Sequence, residues 1–375
     1  MASVPLTAFL LNGKLQFGCA SRRKCIFKLK RIDILLPIHD DREVRLNALE
    51  ILRALKPDWH PETITFKDFT VGITNRIFAA FANEDEQNSD EVDASKRLIF
   101  RVFGNNTEKI IDREKELRNW MLLSDAHLAA PLLATFNNGI VCGYLEGENL
   151  SVETVRDPKI VRKICSSIAR MHNIRENAEL IESVFVSRSR KFLENIPERF
   201  EDAGKQARFE QYFSKFDLER EFEALLSKIE RTDSAVVFCH NDLLVYNILF
   251  DERTERLNFI DYEYAGANYQ LFDIANHFNE YAGVDDADYS KLPSREDKKA
   301  FLELYLSEFE CREVTNTEVE VKLGQIPLFQ AASHHFWALW SLVQAQNSTI
   351  DFDYVAYAIL RHQMYRKDFE DATQQ

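Results

Sequence analysis

The sequence predicts an α+β fold in two lobes, a small β-rich N-terminal lobe followed by a larger α-rich C-terminal lobe. Three observations predict it. Short β-branched and aromatic runs crowd residues 63–145, helical periodicity dominates after Asn149, and 375 residues suffice for two packed units around a cleft. Hydrophobic residues make up 45% of the chain and aromatic residues 12%, with 28 phenylalanines, so both lobes have material for a core.

In the small lobe, residues 33–148, the runs Thr63–Phe69, Arg76–Phe81 and Arg97–Val102 read as strands of an antiparallel sheet. The acidic run Glu84–Asp93 between the last two reads as a solvated hairpin tip. Thr107 can cap an amphipathic helix through Leu123 that turns Ile111, Trp120 and Leu123 inward. Two further strands, Leu132–Phe136 and Ile140–Leu145, flank Asn137-Asn138-Gly139, a hairpin signal because Asn-Gly accepts positive φ. They complete a five-stranded sheet.

In the large lobe, residues 149–375, helices are expected over Pro158–His172, Glu219–Ile229, Glu296–Phe309, Glu318–Gln346 and Phe352–Tyr365. Two short β runs, Ala235–Cys239 and Leu257–Ile260, interrupt them and bracket the densest group of chemically suggestive residues. Ahead of both lobes, residues 1–32 contain no acid but carry Lys14, Arg22, Arg23, Lys24, Lys28, Lys30 and Arg31. That bias is shared with transit peptides; a disordered basic leader is the simpler reading, and the stretch is left out of the expected fold.

Composition excludes several functions. With 47 basic and 61 acidic residues the net charge is −14, which repels polyanions, so nucleic acid is not an expected partner. No apolar run approaches the roughly 20 residues of a spanning helix, so stable membrane insertion is not expected. The seven leader cations lack an amphipathic helix beneath them and offer a lipid surface only transient contact. Six cysteines, at 19, 25, 142, 165, 239 and 311, are scattered without metal or disulfide spacing, which suits a reducing, cytoplasmic setting.

The first β run of the large lobe leads into His240-Asn241-Asp242-Leu243-Leu244-Val245-Tyr246-Asn247, and the second into Asp261-Tyr262-Glu263-Tyr264. Phosphoryl transfer needs a carboxylate to take the proton of an attacking hydroxyl, and oxygen ligands to hold Mg²⁺ against the phosphates. Asp242 is the candidate base, with Asn247 and Asp261 the candidate metal ligands. An Asp and an Asn five residues apart can converge across a tight loop, and an Asp at a neighbouring strand end can face the same ion. One Asx residue in a loop usually caps its own backbone; three in this arrangement suit a kinase catalytic loop.

Upstream, Phe69-Thr70-Val71-Gly72-Ile73-Thr74-Asn75 lies between two strands, where Gly72 permits close backbone approach and Thr74 and Asn75 can donate to phosphate oxygens. Arg101 sits where a strand-borne cation reaches nucleotide phosphates, and Glu116 on the next helix can orient it as an ion pair. Tyr144 and Leu145 end the last sheet strand with main-chain groups that can meet an adenine.

These residues resemble the choline/ethanolamine kinase family, whose members share a protein-kinase-like fold. The likeness runs in motif order from Asp33 to Tyr365. Val237-Phe238-Cys239-His240-Asn241-Asp242 resembles the family's catalytic-loop motif. Ile260-Asp261-Tyr262-Glu263-Tyr264 through Asn276-His277-Phe278 resembles its second signature. The 69–75 loop, Leu243-Leu244 and Phe278-Asn279-Glu280-Tyr281-Ala282-Gly283 are similar to the ethanolamine branch; Val71 and Gly143 depart from it. The resemblance implies ATP and Mg²⁺ as cofactors, ethanolamine as substrate, and phosphoethanolamine and ADP as products, the entry step of phosphatidylethanolamine synthesis. It also implies an amino-alcohol pocket built by Glu280, Trp337, Trp340 and Tyr357. Trp337 and Trp340 are three apart and share a helix face, and aromatic faces attract a cation. Asp285, where the choline branch tends to carry an aromatic residue, favours the primary amine. Choline, an aminoglycoside-like hydroxyl, or a nucleotide-binding pseudokinase without turnover are the competing expectations; the sequence is silent on oligomeric state.

Overall fold

A computed structural model describes residues 9–11, 14–16, 29–37, 40–69, 75–82, 94–103, 113–174, 182–284, 286–348 and 350–374; the side chains of 9–11, 14–16, 75 and 94 are outside the description. Strands β1 (Phe9–Leu11) and β2 (Lys14–Gln16) pair with each other, and β3 (Lys30–Ile32) follows. The small lobe continues with α1 (Asp41–Leu55), β4 (Ile64–Asp68), β5 (Asn75–Ala82), β6 (Arg97–Phe103), α2 (Arg113–Asp125), β7 (Leu132–Phe136) and β8 (Gly139–Gly143). Its sheet has the order β3-β7-β8-β6-β5-β4, antiparallel except for the parallel pair β3 and β7.

Two expectations are corrected here. Among the described residues the sheet has six strands, not five, because Lys30–Ile32, assigned to the leader, pairs with Ala134–Phe136. Three residues in a basic run carry too little periodicity to read as a strand, yet Ile32 is buried in the lobe core. Helix α1 was also not anticipated. Its signals are plain in retrospect: Asp40 accepts the amides of Arg42 and Glu43 at the N-cap, and Val44, Ala48, Ile51 and Leu52 recur on one face. That face packs against Phe78, Phe100 and Val141 of the sheet. Each fully buried Ile or Leu there stabilises the lobe by about 1.5–3 kcal/mol.

The β7–β8 hairpin forms where Asn137-Asn138-Gly139 placed it, but not by positive φ, which neither Asn138 nor Gly139 adopts. Gly139 is required by space instead, since a Cβ there would lie 2.3 Å from the Arg101 carbonyl oxygen and from the Phe136 ring. The asparagines tie the turn down: the Asn138 amide exchanges two hydrogen bonds with the Leu36 backbone, at 2.9 and 2.8 Å. The acidic run at 84–93, Thr107 and Ile111 lie outside the described residues.

The large lobe begins at β9 (Glu148–Asn149) and runs through α3 (Pro158–His172), α4 (Val184–Asn195), α5 (Ala203–Phe213), α6 (Leu218–Ile229), β10 (Val236–Cys239), β11 (Ile248–Asp251), β12 (Arg256–Phe259), β13 (Gly266–Tyr269), α7 (Gln270–Asn279), α8 (Arg295–Glu310), α9 (Asn316–Asn347) and α10 (Tyr354–Gln374). The two expected β runs are β10 and β12. Each has a partner that sequence reading missed: β10 pairs with β13, and β12 pairs with β11, which also binds β9. Helix α7 is buried along its whole length, so its polar residues must find partners inside the protein.

Candidate active site

A cleft of about 830 Å³ opens between the lobes. Ile77, Ile99, Cys142 and Gly143 line it from the small lobe, Leu249, Phe259 and Ile260 from the large one. Tyr144 and Leu145 border it where β8 ends. Gly143, which departs from the family pattern, has little room for a side chain: a Cβ would stand 3.0 Å from the Pro131 ring. Gly72, Thr74, Val71 and Asp285 lie outside the described residues, and of Asn75 only the backbone, opening β5, is described.

The loop after β10 is organised from below by Asp273 of α7. One oxygen of this buried carboxylate accepts the His240 amide at 2.8 Å and the other accepts the Asn241 amide at 2.7 Å. The His172 imidazole closes on it at 3.1 Å. Burial alone would push Asp273 up; the imidazole and the amides outweigh it and hold the carboxyl below its ordinary range. Asn241 stands at φ +69°, a left-handed conformation that asparagine tolerates, and donates to the Tyr264 carbonyl at 2.9 Å. His240 ties the two β runs together, with Nε2 3.0 Å from the Ile260 carbonyl. That contact places its proton on Nε2 and leaves Nδ1 to accept the Asp242 amide at 3.3 Å. Sequence reading missed Asp273, although an aspartate inside the apolar stretch Leu271–Ala275 was a signal.

The geometry brings the catalytic candidates together. The Asn247 amide nitrogen donates to the Asp242 carbonyl at 3.0 Å and to its carboxylate at 3.3 Å, so the five-residue spacing does close into one turn. Burial pushes the Asp242 carboxyl well above its ordinary range, and Asp261, Glu280 and Glu263 push it further. Asp261 sits at φ +65°, which swings its carboxylate toward the small lobe. There Arg101 meets it at 3.1 Å, while also reaching Glu263 at 3.5 Å and the expected partner Glu116 at 3.3 Å. Arg113 takes the second oxygen of Glu116 at 2.6 Å. Arg101 therefore stands at the metal-ligand candidate itself, rather than paired with Glu116 alone.

The residues fit a hard divalent cation. Asp261 and Asn247 both line the cleft and offer a carboxylate and an amide oxygen, the donor set magnesium prefers. Burial and then Asp261 raise the Glu263 carboxyl to about 7, with Arg101 opposing.

At the far end of the cleft Glu280, Trp337, Trp340 and Tyr357 form one wall with Tyr264, Phe352 and Tyr354. The two indole rings stand edge to face at 5.5 Å, and each N–H is occupied: Trp337 donates to Asn276 at 2.8 Å, Trp340 to the Tyr264 hydroxyl at 2.8 Å. Tyr264 and Phe336 also pack edge to face with Trp337, and Tyr354 does so with Trp340. Glu280 is itself paired, since the Arg361 guanidinium donates to its Oε1 at 3.0 Å. Arg361 went unread, though it follows Tyr357 by one helical turn.

The family model described as choline/ethanolamine kinase matches residues 66–366. Ethanolamine kinase 2 of Homo sapiens is 40% identical over 330 residues, covering 88% of this chain and 82% of the relative. Ethanolamine kinase 1 of Mus musculus is 37% identical, covering 91% of this chain and 93% of the relative. Among solved structures, an ethanolamine kinase of Plasmodium vivax superposes with a TM-score of 0.73 at 24% identity, over 88% of this chain and 91% of that one.

Proposed function

The chain belongs to the choline/ethanolamine kinase family and has its protein-kinase-like fold, and from that premise we propose that it phosphorylates ethanolamine with ATP, using Asp242 as base. The observation that carries the reading is the juxtaposition, in one cleft, of the Asp242–Asn247 turn, Asp261 and an aromatic wall containing a carboxylate. Asp242 takes the substrate hydroxyl proton as that oxygen bonds the terminal phosphorus and the phosphorus–oxygen bond to ADP breaks. A carboxyl held above its ordinary range by burial is a stronger base than a surface aspartate. His240 and Asn241, anchored on Asp273, keep the loop from drifting. Magnesium bound by Asn247 and Asp261 would neutralise the phosphate oxygens. Arg101 adds a fixed cation beside them. Gly72, Thr74 and Asn75 belong to the phosphate loop in this reading, and Tyr144 and Leu145 to the adenine edge.

Selectivity for the primary amine rests on Glu280, whose carboxylate can accept an N–H that a trimethylammonium lacks. The relatives' names agree with that choice. The buried free thiols of Cys142, Cys165 and Cys239 suit a reducing, cytoplasmic setting. Among the described residues no helix is long and apolar enough to cross a membrane. The test is the initial rate of ADP release with ethanolamine and with choline, with Mg²⁺ present and then chelated. Ethanolamine-selective, metal-dependent turnover is expected; preference for choline would overturn the pocket assignment, and no turnover with either would overturn the reading.

A further inference from the structure

Arg361, on α10, is 2% exposed, and hydrogen bonds hold its guanidinium in place. Its Nη1 donates to Glu280 Oε1 at 3.0 Å and to the Tyr357 hydroxyl at 2.9 Å, and its Nη2 donates to Ser333 Oγ at 3.1 Å. Ser333 in turn donates to Asn276 Oδ1 at 2.8 Å, the oxygen that also receives the Trp337 indole N–H. One guanidinium thus links the acid, the tyrosine and, through two polar side chains, a tryptophan of the aromatic wall. The second carboxylate oxygen of Glu280, Oε2, is buried and has no hydrogen-bond partner, on a residue that lines the cleft. A buried carboxylate oxygen without a donor is the kind of group a ligand N–H satisfies.

We infer that Arg361 is a positioning residue that sets specificity: by occupying Oε1 it leaves Oε2 of Glu280 as the acceptor for a primary ammonium, favouring a cation that can donate over one that cannot. The inference rests on the ethanolamine reading above and deepens it. A planar fork is what the task requires, because the three acceptors come from α9, α10 and the turn after α7, and a lysine could not span them.

Arg361 also keeps Glu280 charged. Burial pushes the Glu280 carboxyl up, and Arg361 opposes that push. The surrounding titratable groups are Asp242 from the catalytic loop, Tyr289 from the turn before α8, Lys298 from α8, His334 from α9, and Tyr357 and Asp368 from α10. None of these supplies Glu280 with a direct ion pair such as Arg361 makes. With Arg361 removed, the carboxyl rises further and its protonated form gains over the charged one, and a protonated acid no longer attracts an ammonium. Raising the pH restores the charge and with it the binding.

The test compares Arg361→Met, Arg361→Lys, Glu280→Gln and the double variant of Arg361→Met with Glu280→Gln against the parent. KM and kcat for ethanolamine, choline and ATP are measured across acid, neutral and alkaline buffers. Arg361→Met is expected to raise KM for ethanolamine on the order of tenfold or more. The ratio of ethanolamine to choline should narrow, KM for ATP should stay near the parental value, and the deficit should shrink as pH rises. Arg361→Lys should give intermediate selectivity. In the Glu280→Gln background Arg361→Met should move neither selectivity nor pH profile, and that double variant, lacking both buried charges, also reads the effect should Arg361→Met alone not fold. A pH-independent fall in kcat with parental selectivity, parental selectivity in Arg361→Lys, or an undiminished effect of Arg361→Met in the Glu280→Gln background overturns the inference alone. A parent enzyme that does not phosphorylate ethanolamine overturns the functional reading, and this inference with it.

Discussion

The two ends of the cleft solve opposite electrostatic problems. At the phosphate end Glu116, Asp242, Asp261 and Glu263 converge, and two of these carboxyls, Asp242 and Glu263, are held above their ordinary range. At the aromatic end a carboxylate and a guanidinium are paired one to one, and the indole donors are already bonded. In the proposed function the acid-rich end is completed by cations that arrive with the nucleotide, and the balanced aromatic end takes one organic cation. Pre-bonded donors lower the ordering cost of binding, and clustered carboxylates raise the value of a metal.

The sharpest way to break this comparison is Asp242→Ala, expected to lower kcat/KM by about 10²–10⁴-fold while leaving the thermal midpoint unchanged or higher. Near-parental turnover in steady-state ADP release would remove Asp242 from the reactive end. Next in size is Asp273→Asn, which breaks the buried carboxylate beneath the loop and should cost about 3–5 kcal/mol of stability at neutral pH. Because the folded Asp273 carboxyl lies below its unfolded value, its contribution is full above about pH 3.9 and fades as pH falls through the folded value. The difference between variant and parent, read from denaturant midpoints, should therefore shrink in strong acid; a constant difference would refute the charge argument. Smallest is Trp340→Leu, which removes one face from the aromatic end and should raise KM for ethanolamine roughly 2- to 30-fold with KM for ATP unmoved. A larger effect on ATP would show that the two ends are not separate.

The reactive end was far more legible than the aromatic one. Asp242 and Asn247 are five residues apart and Asp261 follows one short strand pair later, so chain connectivity alone brings them near. Arg101 and Glu116 were readable as a strand cation and a helix acid, and they do pair at 3.3 Å. What that reading lacked was Asp261 and Glu263 on the same guanidinium, contacts that cross between lobes at separations of 160 and 162 residues. Trp337, Trp340 and Glu280 entered through family resemblance, and no local pattern announced Arg361 as the partner of a residue 81 positions away.

Legible along the chain were the order of a β-rich and an α-rich lobe, the strands β4 to β8, the helices α3, α6 and α8 to α10, and the candidate catalytic loop. Each follows from periodicity or short-range spacing, which act along the chain. Only the tertiary structure decided that residues 30–32 join the sheet, that Asp273 props the loop from a helix buried on all sides, and that Glu280 shares its charge with Arg361. The physical reason is that burial turns a polar group into one that must find a partner. Which partner it finds is set by packing between elements distant in sequence, and composition and period carry no record of that.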